Sequence, residues 1–400
     1  MAGGFFERFS PRGWAPRSGH SPELAALWPP LVWLHSDDRR RVRRLEALSE
    51  LVLREGVARS VLLTHPDGTG PVTDWPGRVA LPLGPDDAGF AKALMARCAP
   101  AVFLSTARQI PTGIIAALRG GGTRICLAEN AVPRFVTGWR GLPGLSRQTL
   151  GHVDRVFVPR DEDRAGWWGV GLDKEALVTS GRLSAIPVAP SCNEGERDLL
   201  ADAFRNRTLW CAMHLPRREE EAVLAAHREA LRDSHRLALV LHPADPQRGA
   251  ALKDALGPRF NTALRSADDP VTPETQVYIA DTEGERGLWY RLASACYIGG
   301  SLSGEGAQLN PMEAAALGCA VVHGRMFGQF AETFDLLRLA RATRMVQGGE
   351  ALGPAIGNAL RPEQAADMAH RGWQVIAEAA EATEIVLAEL RAACATGGGE

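Results

Sequence analysis

Lysine is almost missing from this chain. Only Lys92, Lys174 and Lys253 are present, so its basic residues are nearly all arginine. The 45 basic and 47 acidic residues leave a formal charge of −2. Without a basic excess there is no general affinity for nucleic acid, which is bound by displacing counterions from its phosphates. No apolar run approaches the roughly 18–20 residues that cross a bilayer. The first 20 residues are interrupted by Arg, Gly and Pro and do not form a secretory signal. Seven cysteines are scattered without a C-x-x-C pair or metal-ligand spacing. Cys126, Cys211, Cys296 and Cys319 lie in apolar runs, as reduced core residues do. No H-E-x-x-H is present, no G-x-G-x-x-G follows the first strand, and "GGSLSG" fails the hydrolase-elbow spacing. These absences exclude a zincin, disfavour a nicotinamide enzyme and lead us to expect neither cofactor nor metal.

What is present is an ordinary globular composition, 45% apolar and 23% charged over 400 residues, more than one hydrophobic core usually holds. Short apolar runs at 31–35, 60–65, 79–83, 101–105, 124–129 and 155–159 alternate with helix-period segments. A second series occupies 209–214, 237–243, 277–281, 296–300 and 320–324. Continuous apolar strands separated by helices predict parallel sheets covered on both faces. The fold class expected is therefore α/β, with two Rossmann-like, doubly wound domains facing a cleft. The expected boundaries are a tail over 1–25, an N-terminal domain over 26–185, a Pro-, Ser- and Gly-rich linker over 186–206, and a C-terminal domain over 207–395. A long helical run from Pro362 to Ala395, with a break near Trp373, closes the chain. The segment "GGFFERFSPRGWAPR" mixes aromatics with arginine and is either a disordered tail or an interfacial segment.

One stretch stands out: "IGGSLSGEGAQLNPMEAAALG", 298–318. Gly299, Gly300, Gly304 and Gly306 permit positive φ and close approach of a ligand to the backbone. Asn310 at the N-cap, Pro311 at N1 and Glu313 at N3 spell a capping box with the preferred proline. A helix start of this kind suits a phosphate. Two roles are open to Glu313: capping its own helix, or meeting a ligand.

The region 277–324 resembles the C-terminal domain of the 3-deoxy-D-manno-octulosonic acid (Kdo) transferases. It carries Asp281-Thr282-Glu283-Gly284-Glu285, then Gly299-Gly300-Ser301-Leu302, then Asn310-Pro311-Met312-Glu313-Ala314-Ala315. The likeness extends to "FGQFAETF" at 327–334, "MHLPRREEEAVLAAHREAL" at 213–231, and "LHPADPQR" at 241–248 with Leu241 replacing an arginine. It is close over 150–400 and poor over 30–150. These are GT-B-fold glycosyltransferases that use CMP-Kdo to decorate the lipid A precursor at the inner membrane. The resemblance implies a CMP-sugar donor, a lipid A precursor as acceptor, inversion without a metal, and peripheral contact with the cytoplasmic face of the bacterial inner membrane. It also implies a donor site built from His214, His242, Gly300, Ser301, Asn310 and Glu313, with the Gly300–Ser301 loop and the following helix start on the phosphate and Glu313 on the ribose.

The departures from the family pattern fall in the N-terminal half. The family's general-base pattern, His-x-x-Ser-x-Gly-Glu, is replaced by "WLHSDDRRRVRRLE". Asp37 and Asp38 are the remaining candidates for a base, with an N-cap as their other role. The family's Glu-Thr-Glu-Leu-Trp-Pro becomes "STARQIP", which loses two acids and introduces Arg108. Arg39, Arg40 and Arg108 are candidate contacts to an anionic acceptor or leaflet, or else a solvated face. "RDEDR" at 160–164 reads as acids capping a helix start. A catalytically degenerate paralogue that binds nucleotide or lipid as a partner protein is the alternative.

Overall fold

Both series of apolar runs form parallel sheets. The computed structural model describes residues 22–69, 72–132, 149–184, 189–304 and 306–396. The tail segment "GGFFERFSPRGWAPR" lies outside the described residues. The chain divides into two compact units, Met1–Ala185 together with Glu378–Glu400, and Ile186–Ala377.

In the first unit the elements are β1 (Leu31–His35), α1 (Arg39–Arg54), β2 (Ser60–His65), β3 (Arg78–Pro82), α2 (Ala88–Arg97), β4 (Val102–Ser105), α3 (Thr112–Leu118), β5 (Arg124–Ala128), β6 (Arg155–Val158), α4 (Arg164–Gly169) and β7 (Leu177–Thr179). The sheet order is β3-β2-β1-β4-β5-β6-β7. Direction reverses at β1, whose Val32 registers with Val61 of β2 and with Val102 of β4, all parallel. Both faces of β1 are covered, which is why it reads as an unbroken apolar run. Trp33 packs edge-on against Phe103 at 4.7 Å and donates its indole N–H to Thr64 Oγ1 at 2.8 Å. On the other face Val32 and Leu34 join Val42 and Leu45 of α1 in a buried cluster.

The second unit runs α5 (Glu194–Ala203), β8 (Leu209–Leu215), α6 (Arg217–Asp233), β9 (Ala238–Pro243), α7 (Gly249–Leu256), β10 (Thr262–Leu264), β11 (Val277–Ile279), α8 (Arg286–Leu292), β12 (Ala295–Ile298), α9 (Pro311–Ala316), β13 (Ala320–His323), α10 (Ala331–Leu339), β14 (Thr343–Met345) and α11 (Leu352–Ala359). Its sheet order is β10-β11-β9-β8-β12-β13-β14, again parallel throughout. Two doubly wound α/β units are thus observed, as the alternation of runs predicts.

Three corrections follow from packing. The segment 186–206 is not a bare linker: α5 lies within it, and Leu200 and Phe204 enter the second unit's core. The last helix, α12 (Pro362–Thr396), runs without a break, and Trp373 is simply exposed on it. That helix also does not belong wholly to the C-terminal domain. Met368 packs in the second unit, whereas Val386, Leu387 and Leu390 are fully buried with β1 and α1 of the first. All seven cysteines are free, and burial pushes the Cys126, Cys211, Cys296 and Cys319 thiols up, hydrogen bonding among the thiols leading at Cys319. Among the described residues no helix is long and apolar enough to cross a membrane.

His35, His227 and His323 are buried, and burial lowers each imidazole from 6.5 to about 4. The unfolded chain therefore binds more protons than the folded chain between those values. Stability is full above about pH 6.5 and falls as pH drops toward 4, on the order of 3 kcal/mol for each fully buried ring. Urea titrations at successive pH values should show the midpoint falling across that window. A midpoint that stays level would show that these rings are not neutral in the folded protein.

Candidate functional site

In a doubly wound sheet the crevice lies where strand order reverses, at the carboxyl ends of the strands. In the second sheet that point is β8, between β9 and β12. The end of β8 is irregular: its register on β9 shifts between Ala212 and Leu215, and His214 takes φ 52°. A left-handed non-glycine residue in a bulge re-aims its side chain out of the strand's alternation. The bulge also brings the His214 carbonyl against the end of β12. A Cβ at Gly299 would stand 2.3 Å from that oxygen, so only glycine fits.

Gly300 turns with φ 77°, and the segment that follows is fastened by a residue that spacing did not single out. Glu219, in the first turn of α6, is buried beneath it. Its Oε2 accepts from the Gly300 N–H at 2.8 Å and the Tyr297 hydroxyl at 2.8 Å. Its Oε1 accepts from the Leu302 N–H at 3.0 Å and the Ser303 hydroxyl at 2.8 Å. The Ser301 hydroxyl donates to the Ile298 carbonyl and accepts from the Gly324 N–H. The Gly300 N–H and Ser301 Oγ, expected to meet an incoming phosphate, are therefore already engaged inside the protein. A side-chain carboxylate stands where the anion was anticipated. In sequence, Glu219 is one of three consecutive acids at a helix start, and nothing in that pattern marks which one turns inward.

Asn310 caps α9 as expected, its Oδ1 accepting from Met312 N at 3.0 Å. The capping box is not completed, however. The Glu313 side chain makes no bond back to the Asn310 N–H, and its buried Oε2 has no hydrogen-bond partner. Burial raises its carboxyl above the ordinary value, with Arg286 opposing. Arg286, at the start of α8, approaches Glu313 Oε2 at 3.8 Å. His242, in β9, is nearly fully buried, and its Nδ1 is also without a partner. Burial lowers His242, followed by the fields of His214 and Arg286, and burial then Arg286 lower His214. His214, His242, Arg286 and Glu313 thus stand at the carboxyl ends of β8, β9, β11 and β12, four neighbouring strands. The preceding motif acids serve the frame: Asp281 accepts from the Ser266 N–H and hydroxyl, and Glu285 pairs with Arg265 at 2.7 Å. Arg286 directly follows that motif, and its adjacency was the one signal available for it.

In the first sheet the reversal lies between β1 and β4, and it brings Asp37, Asp38 and Arg108 together. Asp38 is the N-cap of α1, accepting from Arg40 N at 3.0 Å, and pairs with Arg108 at 2.9 Å. Burial pushes its carboxyl up, but the Arg40 N–H and the Arg108 guanidinium outweigh this and hold it below its ordinary value. Asp37 Oδ1 accepts from the Arg108 N–H at 2.7 Å, and its Oδ2 has no partner among the described residues. Arg39 donates to the Asp67 carbonyl at 2.6 Å, while the Arg40 side chain is exposed. The basic run does not form one charged face. Arg41 reaches the Thr106 and Glu129 carbonyls, and buried Arg44 pairs with Glu129 at 2.7 Å. The acids of 161–163 make ion pairs with Arg160 and Arg164 without a side-chain cap. Among the described residues no cluster of His, Cys, Asp and Glu is arranged to hold a metal.

No family model matches the chain. It is 29% identical over 397 positions to the 3-deoxy-D-manno-octulosonic acid transferase of Bordetella pertussis, covering 93% of this chain and 89% of the relative. The transferase of the same name from Haemophilus influenzae is 29% identical over 177 residues, 44% of this chain and 41% of that one. Among solved structures, the C-terminal CMP-Kdo binding domain of WaaA from Acinetobacter baumannii is 25% identical with a TM-score of 0.43, covering 45% of this chain and 96% of that domain.

Glu219 is itself buried and receives four donors, so removing the carboxylate takes the acceptor from all of them. Glu219→Ala is expected to cost about 3–5 kcal/mol, the range for breaking a buried charged network from one side. Urea unfolding followed by tryptophan fluorescence measures this, and an unchanged midpoint would show that the clamp contributes nothing.

Proposed function

We propose that the chain is a member of the 3-deoxy-D-manno-octulosonic acid transferase family, and that it moves Kdo, or a related sugar acid, from a CMP-activated donor to a lipid A-type acceptor in lipopolysaccharide biosynthesis. The observation that carries this reading is the cluster of His214, His242, Arg286 and Glu313 at the reversal point of the second sheet. A buried carboxylate oxygen and a buried imidazole nitrogen, both without partners, are costly unless a ligand completes them. Glu313 accepts hydrogen bonds from the two ribose hydroxyls, which a carboxylate does with both oxygens. His242 Nδ1 supplies a further polar contact.

Transfer with inversion forms the bond between the acceptor oxygen and the anomeric carbon as the bond from that carbon to CMP breaks. The bonding pair leaves with the phosphate, and the acceptor hydroxyl's proton goes to a carboxylate base. The leaving group is already a phosphate, so neither a second acid nor a metal is called upon. Of the two candidate bases, Asp37 suits the role better. Asp38 is committed to the helix cap and to Arg108, and its lowered affinity for a proton is the wrong direction for a base. Arg40, exposed at the start of α1, is the best placed of the three arginines for an anionic acceptor or leaflet, since Arg39 and Arg108 are already engaged. We place the protein peripherally at the cytoplasmic face of the bacterial inner membrane. No separate observation favours a role limited to binding.

With CMP-Kdo and lipid A precursor the protein should release CMP. Asp37→Asn should slow turnover by about 10²–10⁴-fold, the usual contribution of a general base, while CMP still binds. Asp38→Asn keeps a good cap and should stay within about tenfold of the parent. Coupled CMP-release kinetics and calorimetric CMP titration distinguish the outcomes. Binding without release would defeat transfer, and full activity in both variants would remove these acids from the mechanism.

A further inference from the structure

Arg286 opens α8 with its side chain partly exposed, beside the carboxyl ends of β8, β9 and β12. Its guanidinium makes no hydrogen bond among the described residues. Its one ion pair there, with Glu313 at 3.8 Å, is too long to be a hydrogen bond. Five N–H donors in a planar fork are therefore held next to His214, His242 and Glu313 without an acceptor of their own.

The loop and helix-start groups that the sequence offers to an anion here are occupied. The Gly300 and Leu302 N–H groups bond Glu219, and the Met312 N–H bonds Asn310. The Ser301 hydroxyl lies between Ile298 and Gly324. His214 and His242 are lowered by burial and by Arg286, so neither brings a positive charge near neutral pH. Arg218 lies over Gly304, its guanidinium 2.8 Å from where a Cβ would stand. A phosphate entering between the two histidines and Glu313 meets Arg286, a cation without a hydrogen bond of its own among the described residues.

Resting on the CMP-donor reading above, we propose that Arg286 grips the phosphate of the nucleotide donor, its fork pairing with two phosphate oxygens, in place of the glycine-rich loop that Glu219 has already filled. The consequence for transfer follows directly. Negative charge gathers on the phosphate as its bond to the anomeric carbon breaks, and a fixed guanidinium stabilises that charge more in the transition state than in the bound donor.

The test compares CMP with cytidine, which lacks only the phosphate, by calorimetric titration of the full chain. The parent protein should bind CMP more tightly than cytidine. Arg286→Gln should weaken CMP by about 10–100-fold, the loss for one charge-assisted contact, with cytidine within about twofold. Arg286→Lys, which keeps the charge but loses the fork, should fall between, and Arg218→Gln should leave both ligands unchanged. If Arg286→Gln weakens CMP and cytidine alike, or neither, or if Arg218→Gln instead removes the preference for CMP, the proposal is overturned while the nucleotide site stands. If the parent binds neither ligand, the nucleotide reading itself fails and the proposal with it.

Discussion

Glu219 reaches from the first turn of α6 beneath the segment that leaves β12 and takes a donor from each of Tyr297, Gly300, Leu302 and Ser303. Glycine-rich backbone has many conformations to lose on folding, so a turn of this composition needs something to select one. An internal carboxylate does so without waiting for a ligand. The direction in which the chain leaves this turn sets where α9 begins, and so where Glu313 stands. The His214 carbonyl packs against the same turn at Gly299, so the bulge that aims the imidazole and the loop that places the glutamate share one set of contacts. An anion-binding backbone has thus been committed to a resident anion.

The same economy of charge runs through the first unit. Glu129 turns with φ 57° just after β5, pairs with buried Arg44 and accepts from the Leu183 N–H at 2.7 Å. Asp38 holds both a helix start and Arg108. Buried Arg44 serves the frame because a buried charge is tolerated only when paired and hydrogen-bonded, and exposed Arg108 is held by the acid that caps α1. Arg286 differs from Arg44 and Arg265: it is near a carboxylate without being bonded to it. That distinction comes from a separation of 3.8 Å against 2.7 Å and from the direction of a side chain.

Much of the fold was legible because parallel strands covered on both faces must be apolar along their whole length. The runs at 31–35, 60–65 and 209–214 match β1, β2 and β8 to within a residue. The three strands that the patterning missed, β7, β10 and β14, are three residues long and lie at sheet edges. "TAL" and "TRM" carry too little apolar length to be seen. The end of α12 was misplaced for a related reason: helical periodicity shows that a face is buried, not which core buries it.

Sequence by itself determined the alternation of strands and helices, the cap at Asn310, the glycines at 299 and 300, and the family to which the chain is similar. Each of these rests on local stereochemistry or on the order of residues along the chain. The assignment of neighbouring acids to different tasks was decided only in three dimensions. Glu219 turns inward to the loop while Glu220 pairs with Arg248, and Asp38 closes a helix while one oxygen of Asp37 stays open. A carboxylate's role is set by the donors within about 3 Å of it, and most of those donors lie tens of residues away in sequence.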